Sequence, residues 1–438
     1  MVEPFPPRDA PTRELSPLDF LHSPRTPHLL RLWEEVRAFE VLPQLDRWLT
    51  QRFRAEKKFG QKDRRWYSEA IFTALRFGLW AAALEEMKMR GLNEVPAEFL
   101  SLSPSASWQA VRRLPPERLF FWLAVRDSAD EPAVSAMRLG IDTWAGALLW
   151  NGVPAQWAVV IEKRIASGVW TSEQAKSFIA AQSTRPPLWL RLNHPEQLAR
   201  VTAELEAKSY LERREGKALA LRPNASLGGL EAFAQGWIEI QDKASQEIGE
   251  GLPLAPDAWV WDACAGGGGK TMQLAARLQG KGRVCASDIR SHKLKDLEER
   301  SQRARFQNIS TYPWDGKQVP VFPQALQKRG GFDVALIDAP CTGAGTWRRN
   351  PDAKYRLDEA ELGRLMAIQD QLLRVVSTSV RPGGYLAYAT CSWLPAENED
   401  RVAAFLQTNV SFTLVSQSLL GCPGQDADTM FLALLQRV

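Results

Sequence analysis

The chain is poor in the residues that build metal sites and disulfide frameworks. Its 438 residues include five cysteines and four histidines. The cysteines, Cys264, Cys285, Cys341, Cys391 and Cys422, are odd in number and form no CxxC pair. A disulfide scaffold and a thiolate zinc site are therefore not expected, and so few histidines do not support a His-rich metal centre. Long apolar runs are missing as well. No stretch approaches the roughly 20 residues that span a bilayer, and the opening MVEPFPPRDAPTRELSPLDF lacks the continuous apolar core of a secretory signal. The expected setting is the cytoplasm, away from membranes, where thiols stay reduced and available for chemistry. A dominant charge is also lacking. Lys and Arg number 55 against 51 Asp and Glu, a net charge of +4. That balance permits an RNA partner without arguing for one, so any basic patch must be local.

What the chain does have is tryptophan, 17 in all, which points to large buried rings or stacking surfaces. Its length exceeds what one core can fill, so two or three domains are expected. Residues 1–26, rich in Pro and charge, read as a flexible tail. From 27 to 181 the pattern is helical. Leu29, Leu32, Trp33, Val36 and Phe39 recur at spacings of three and four, as do Trp66, Ile71, Leu75, Leu79 and Leu84 further on. Between them lies KKFGQKDRR, with Lys57, Lys58, Lys62, Arg64 and Arg65. It reads as a solvated turn between helices, with a phosphate contact as the functional alternative.

Near Arg185 the texture changes. In PPLWLRLN, Leu188, Leu190 and Leu192 alternate with Trp189, Arg191 and Asn193, which is strand periodicity. Residues 182–235 are expected to form a small α/β module, and 236–438 the last domain, entered through GWIEIQDKASQEIGEGL. There AWVWDA, RVCASD, ISTYPW, FDVALID and GYLAYAT alternate with helical segments, the signature of a parallel doubly wound sheet. TMFLALLQRV reads as one more strand.

The first of these strands ends at Asp262, followed by ACAGGGGKT. Gly266, Gly267, Gly268 and Gly269 allow a sharp turn and close backbone approach to a ligand, and the helix starting near Lys270 points its N-terminus there. Nineteen residues past Gly269, the second strand ends in Asp288, well placed to accept hydrogen bonds from ribose hydroxyls. A nucleoside cofactor is expected. A P-loop would need glycine where Cys264 stands, and GxGxxG fits this loop poorly. The glycines alone do not choose among nucleosides.

The other strand ends narrow the choice. FDVALID runs into Asp338-Ala-Pro-Cys341, and GYLAYAT into Thr390-Cys391-Ser392. Each cysteine alone would most simply be packing. Two of them just past the carboxyl ends of parallel strands, on the rim where such sheets bind ligands, point to chemistry. Carbon 5 of cytosine is a poor nucleophile. A thiolate adding to carbon 6 makes it enamine-like and able to take a methyl from a sulfonium donor, and loss of the carbon-5 proton then lets the thiolate leave. Asp338 could hydrogen-bond the N3/N4 edge of the ring, or could simply be a structural ion-pairing group.

DACAGGGGKT, SDIRSHKL, FDVALIDAPCTGAGTWRRNPDAKYR and GGYLAYATCSWLPAENED resemble the Sun-type (Fmu-type) RNA cytosine-5 methyltransferases. The resemblance spans about residues 185–438. The helical third is more loosely similar to the NusB-like RNA-binding domain of bacterial members that modify 16S rRNA. It implies a Rossmann-like methyltransferase domain preceded by an all-α NusB-like domain and a small α/β module. It implies S-adenosylmethionine as cofactor and RNA, small-subunit rRNA above all, as partner; the residues leave the oligomeric state open, with a monomer favoured. By the same resemblance Cys391 is the nucleophile, Cys341 assists product release and Asp338 contacts the target base. Asp288 binds the ribose, Asp315 lies near the adenine, and Cys264, Ala265 and Gly266 to Lys270 hold the methionine moiety. Lys270 also matches an active-site lysine. Two positions depart from the pattern: Gly267 replaces the proline of CAAPGGKT, and Thr342 replaces a serine. In DNA cytosine-5 methyltransferases the nucleophile is instead the Pro-Cys cysteine, and the TCS motif argues against that class. A tRNA target, and a non-catalytic ribosome-assembly factor, are the alternatives.

Overall fold

In the computed structural model, described over residues 23–438 except 57, 58, 127–133, 135, 136, 138–141 and 224, the chain divides into two compact units. The tail expected over 1–26 lies, up to residue 22, outside the described residues, as do Lys57 and Lys58.

The first unit comprises the chain up to Arg185 together with Thr346–Glu361. It is helical. Thr26–Arg37 buries Leu29, Leu32, Trp33 and Val36, the stripe its spacing predicts. Phe39 lies past the helix end, edge-on to Trp48. The long helix Gln61–Arg90 begins five residues before Trp66, because Gly60 caps it in an extended conformation and Asp63 favours its first turn. Lys62, Arg64 and Arg65 therefore lie in a helix rather than a turn, with Arg65 paired to Glu69 at 2.9 Å. Along this helix Gly78 admits Val111, whose Cγ1 would sit 2.7 Å from a Cβ there. The tryptophans prove to be core: Trp33, Trp80, Trp108 and Trp122 are fully buried, and Trp33 meets Trp108 and Phe120 edge-to-face.

The second half of the motif FDVALIDAPCTGAGTWRRNPDAKYR belongs to this helical unit. Tyr355 donates its hydroxyl to Leu75 O at 2.8 Å, and the buried Lys354 Nζ donates to Arg76 O at 2.7 Å and to Gly152 O. Arg76 in turn donates to Arg348 O at 2.6 Å, and Arg356 to Pro43 O at 2.8 Å.

The second unit, Pro186–Gly345 and Leu362–Val438, holds two sheets. The smaller is antiparallel in the order β2-β3-β1-β4, with β1 Leu188–Leu192, β2 Leu211–Glu215, β3 Ala218–Leu221 and β4 Ile238–Ile240. It takes in residues beyond 235, where the small module was expected to end. Leu190 and Leu192 pack with Val201 and Leu205 of the helix Leu198–Ala207, while Trp189 packs with Ala218 and Ala220 on the opposite face. The alternation in PPLWLRLN thus sorts residues between two covered faces.

The larger sheet runs β10-β11-β9-β8-β5-β6-β7, with β5 Trp259–Asp262, β6 Arg283–Asp288, β7 Ile309–Pro313, β8 Phe332–Asp338, β9 Val380–Thr390, β10 Phe412–Gly421 and β11 Thr429–Arg437. β5 through β9 are mutually parallel, as expected, and an antiparallel β10–β11 hairpin extends the β9 edge. The chain runs from β5 out to β7, then returns to place β8 on the other side of β5. The strand order therefore reverses between β5 and β8, and such a reversal opens a ligand crevice at the carboxyl ends of the strands.

Candidate active site

The carboxyl ends of β5, β6, β8 and β9 carry the expected groups. After β5 the chain turns through Gly266 (φ +54°) and Gly268 (φ +86°), left-handed values that favour glycine. A Cβ on Gly268 would lie 2.2 Å from Leu297 Cδ1, so only glycine lets the loop pack on the helix Ser291–Arg303. From Gly269 the helix Gly269–Arg277 begins, with Lys270 in its first turn. Nothing lies within 4 Å of the point where a Cβ on Gly269 would stand, so the loop keeps open space beside its backbone.

Asp288, at the end of β6, faces this loop. Its Oδ2 accepts from the Gly266 amide at 2.8 Å, and its Oδ1 from the Arg290 amide at 2.9 Å. The Arg290 guanidinium also reaches both oxygens. Burial works against the charge of Asp288, but these donors outweigh it and hold the carboxyl below its ordinary range. An ionised acceptor is thus held beside a glycine loop with open backbone, and these residues fit a nucleoside-borne methyl donor. Cys264 and Ala265 complete the turn, with the Ala265 amide donating to Ser287 O at 2.8 Å. Burial, with Asp262, Asp338 and Asp288 nearby, pushes the Cys264 thiol well up and keeps it protonated. Asp315 lies in the exposed turn after β7 and accepts from the Lys317 amide at 3.0 Å. The structure joins it to none of the other expected site residues by a hydrogen bond or ion pair among the described residues.

Across the crevice, Lys270 Nζ lies 2.8 Å from Asp338 Oδ2. Burial disfavours the ammonium, yet Asp338, with Cys391 and Asp262 nearby, more than offsets this and raises its pKa. Lysine from the helix that follows β5 and aspartate from the end of β8, the two strands that flank the reversal, therefore form one ion pair. Cys341 and Cys391 complete the group, their sulfurs 3.2 Å apart. Hydrogen bonding to Cys391, then burial, then the neighbouring charges push the Cys341 thiol well up.

Sequence reasoning passed over the residues that hold this pair. Glu397, fully buried, accepts from the Thr342 amide at 2.9 Å and the Thr342 hydroxyl at 2.5 Å, and from Gln369 Nε2 at 3.1 Å. Thr342 keeps the hydroxyl that serine would supply, which is why that departure leaves the loop intact. Asn398 donates to Ser392 O at 2.9 Å and accepts from Thr390 Oγ1 at 2.6 Å, bracketing Cys391. Gly345 donates to Cys391 O at 2.9 Å, and a Cβ there would lie 1.8 Å from Thr429 O. The only sequence signal for these residues was their place in AENED and CTGAG, beside the cysteine motifs.

Asp262 lies beneath the loop. Thr271 Oγ1 donates to its Oδ2 at 2.6 Å, while its Oδ1 is buried without a partner among the described residues. Burial pushes its pKa up to about 7. The fold thus favours the protonated form, which stabilises the native state below the unfolded value near 4 and is lost as pH rises through 7. Asp262→Asn is expected to flatten the dependence of Tm on pH between 5 and 8. At pH 8 it should raise stability by at most about 4 kcal/mol, three pKa units at ~1.4 kcal/mol each. A thermal melt series over that range checks it, and a pH profile unchanged from that of the parent protein refutes it.

Residues 251–435 match the family model described as 16S rRNA methyltransferase RsmB/F. This part of the chain is similar to the RsmB/F methyltransferases. Curated relatives agree. A protein of Erwinia tasmaniensis named ribosomal RNA small subunit methyltransferase B is 36% identical over 57% of this chain and 58% of its own length. One of the same name from Serratia proteamaculans is 30% identical over 67% of this chain and 65% of its own length. The matched part thus spans less than two thirds of these relatives. The solved structure of PH0851 covers 97% of this chain and all of its own, with 21% identity and a TM-score of 0.67. A methyltransferase homologue from Pyrococcus horikoshii covers 67% of this chain and 99% of its own length, with 22% identity and a TM-score of 0.55. At such identities these structures speak for the fold, which is Rossmann-like over the matched residues. No helix among the described residues is long and apolar enough to cross a membrane.

Proposed function

We propose that the chain is an S-adenosylmethionine-dependent RNA methyltransferase that modifies carbon 5 of a cytosine in small-subunit rRNA. The observation that carries this reading is the 3.2 Å approach of Cys341 and Cys391 beside the Lys270–Asp338 pair, at the strand reversal. Asp288, Asp315 and the loop from Cys264 to Lys270 hold the cofactor, which when bound supplies an electrophilic methyl group. Cys391 is the thiolate that adds to carbon 6 of the base. After methyl transfer a base must take the carbon-5 proton so that the Cys391–carbon-6 bond breaks and the thiolate leaves, and the neighbouring Cys341 assists that release. Asp338 gives one oxygen to Lys270 and has Oδ1 left to meet the N3/N4 edge of the ring, where Lys270 offsets charge that develops there. The target base must leave its stack to enter such a crevice. The helical unit is the RNA-binding part, and the names of the relatives make small-subunit rRNA the substrate of choice over tRNA.

Bisulfite-type mapping of total RNA, with and without the gene, tests the proposal. The expected result is one or a few cytosines in small-subunit rRNA that lose their mark. An unchanged map would favour a non-catalytic assembly factor, and loss confined to tRNA would move the substrate. Asp288→Ala is expected to weaken S-adenosylhomocysteine binding by about tenfold or more, the scale of a lost charge-assisted hydrogen bond. RNA affinity should stay within twofold, and calorimetry with each ligand separates the two.

A further inference from the structure

The glycine loop departs from the family pattern at Gly267, where proline is usual. Proline would stiffen the turn by fixing its own φ; glycine leaves it free. The structure shows what holds the loop instead. Arg300, on the helix Ser291–Arg303, donates from Nη1 to Gly267 O. Its Nη2 donates to Glu239 Oε2 at 2.7 Å, and Arg303 donates to Glu239 Oε1 at 2.9 Å. The Glu239 side chain is 4% exposed. It stands on β4, directly across from Arg191 of β1. Arg191 is buried, donates to Gln241 Oε1 at 2.5 Å, and reaches Gly269 O at 3.4 Å. Two guanidinium groups therefore sit on alternate carbonyls of the loop, at 267 and 269. The carboxylate that aims the first lies on the small antiparallel sheet.

We propose that Arg300, anchored by Glu239, is a positioning residue for the methyl-donor loop and takes over the stiffening role of the absent proline. The small antiparallel sheet is then part of the cofactor site as well as a neighbour in the fold. The argument is one of preorganisation. A loop whose carbonyls are already held does not lose further freedom when a ligand binds. Arg191 and Glu239 are buried and Arg300 partly so; such charges are costly unless paired, and here Glu239 takes Arg300 and Arg303 while Arg191 reaches Gln241 and the Gly269 carbonyl. Space also makes arginine and proline alternatives. A Cβ at position 267 would lie 3.1 Å from Arg300 Nη1. The Gly267 amide makes no hydrogen bond among the described residues, and its φ is outside the left-handed region, so neither feature bars proline there.

The inference rests on the methyl-donor reading of the loop, and its test separates the two. The full-length protein, Arg300→Met, Glu239→Gln, and the double variant Arg300→Met with Gly267→Pro are compared. Calorimetry measures S-adenosylhomocysteine binding, and hydrogen exchange measures the loop amides at 265–269 with no ligand added. Arg300→Met is expected to bind about tenfold more weakly, the scale of one charge-assisted hydrogen bond, and to exchange its loop amides faster. Glu239→Gln should move both readings the same way by less, and adding Gly267→Pro to Arg300→Met should recover most of the lost affinity. A merely structural role would lower Tm without rescue by proline. Arg300→Met with unchanged affinity and unchanged exchange overturns the proposal. If the unaltered protein fails to bind S-adenosylhomocysteine, the methyl-donor reading falls, while the exchange measurement still decides whether Arg300 holds the loop.

Discussion

Cys391→Ala should abolish methyl transfer, by roughly 10⁴-fold or more, the scale seen when a covalent nucleophile is removed. It should also abolish any RNA adduct that survives denaturing electrophoresis. The substitution removes one sulfur and leaves its surroundings in place. The Cys391 carbonyl still accepts from Gly345, and Ser392 is still held by Asn398. RNA and cofactor binding should therefore persist, and loss of activity reports on chemistry alone. Transfer of radiolabelled methyl to RNA, alongside gel retardation, reads both. Retained activity in this variant would overturn the assignment of the nucleophile.

Cys341→Ala is the second large effect, and it has the opposite sign at the adduct. The sulfur at 341 is 3.2 Å from that at 391, and the hydrogen bond between them, then burial, raises the Cys341 pKa. Removing it takes away the group closest to the leaving thiolate. The loop itself should survive, because Thr342 is tied to Glu397 independently of the sulfur. Turnover should fall by about 10²-fold or more, the scale of losing a positioned proton-transfer group. A covalent protein–RNA species should accumulate as a slow-migrating band. A band from Cys391→Ala and none from Cys341→Ala would exchange the two roles.

Much of this site was legible before any coordinates. β5, β6, β8 and β9 announce themselves as short apolar runs, and the chemistry-bearing residues follow each run directly. Asp262, Asp288, Asp338 and Cys391 thus fall on one rim by the parallel topology alone. β10 was missed for an intelligible reason. It is an edge strand whose middle, Thr413–Gln417, faces solvent, so no alternation of burial marks it. Arg65 and its neighbours were read as a turn because charge hid the first turn of a helix that Gly60 and Asp63 begin.

Other features had no sequence signal at all. GTWRRNPDAKYR begins four residues after Cys341, yet from Thr346 it belongs to the helical unit, where Lys354 and Tyr355 donate to carbonyls near position 75. Glu239 and Arg300 are sixty-one residues apart and nothing in their neighbours links them, yet they meet behind Gly267. Glu397 looked like one acid in an acidic run until burial and Thr342 singled it out.

Sequence alone determined which chemistry is available here. Residue types, glycine spacing and strand periodicity are local properties, and a parallel sheet converts them into a rim without further information. Only the tertiary structure decided which groups touch. The sulfur–sulfur approach, the Lys270–Asp338 pair and the grip of Arg300 on the loop each join segments distant along the chain. Their existence depends on strand order and helix packing, and so does the burial that raises the pKa of Asp262.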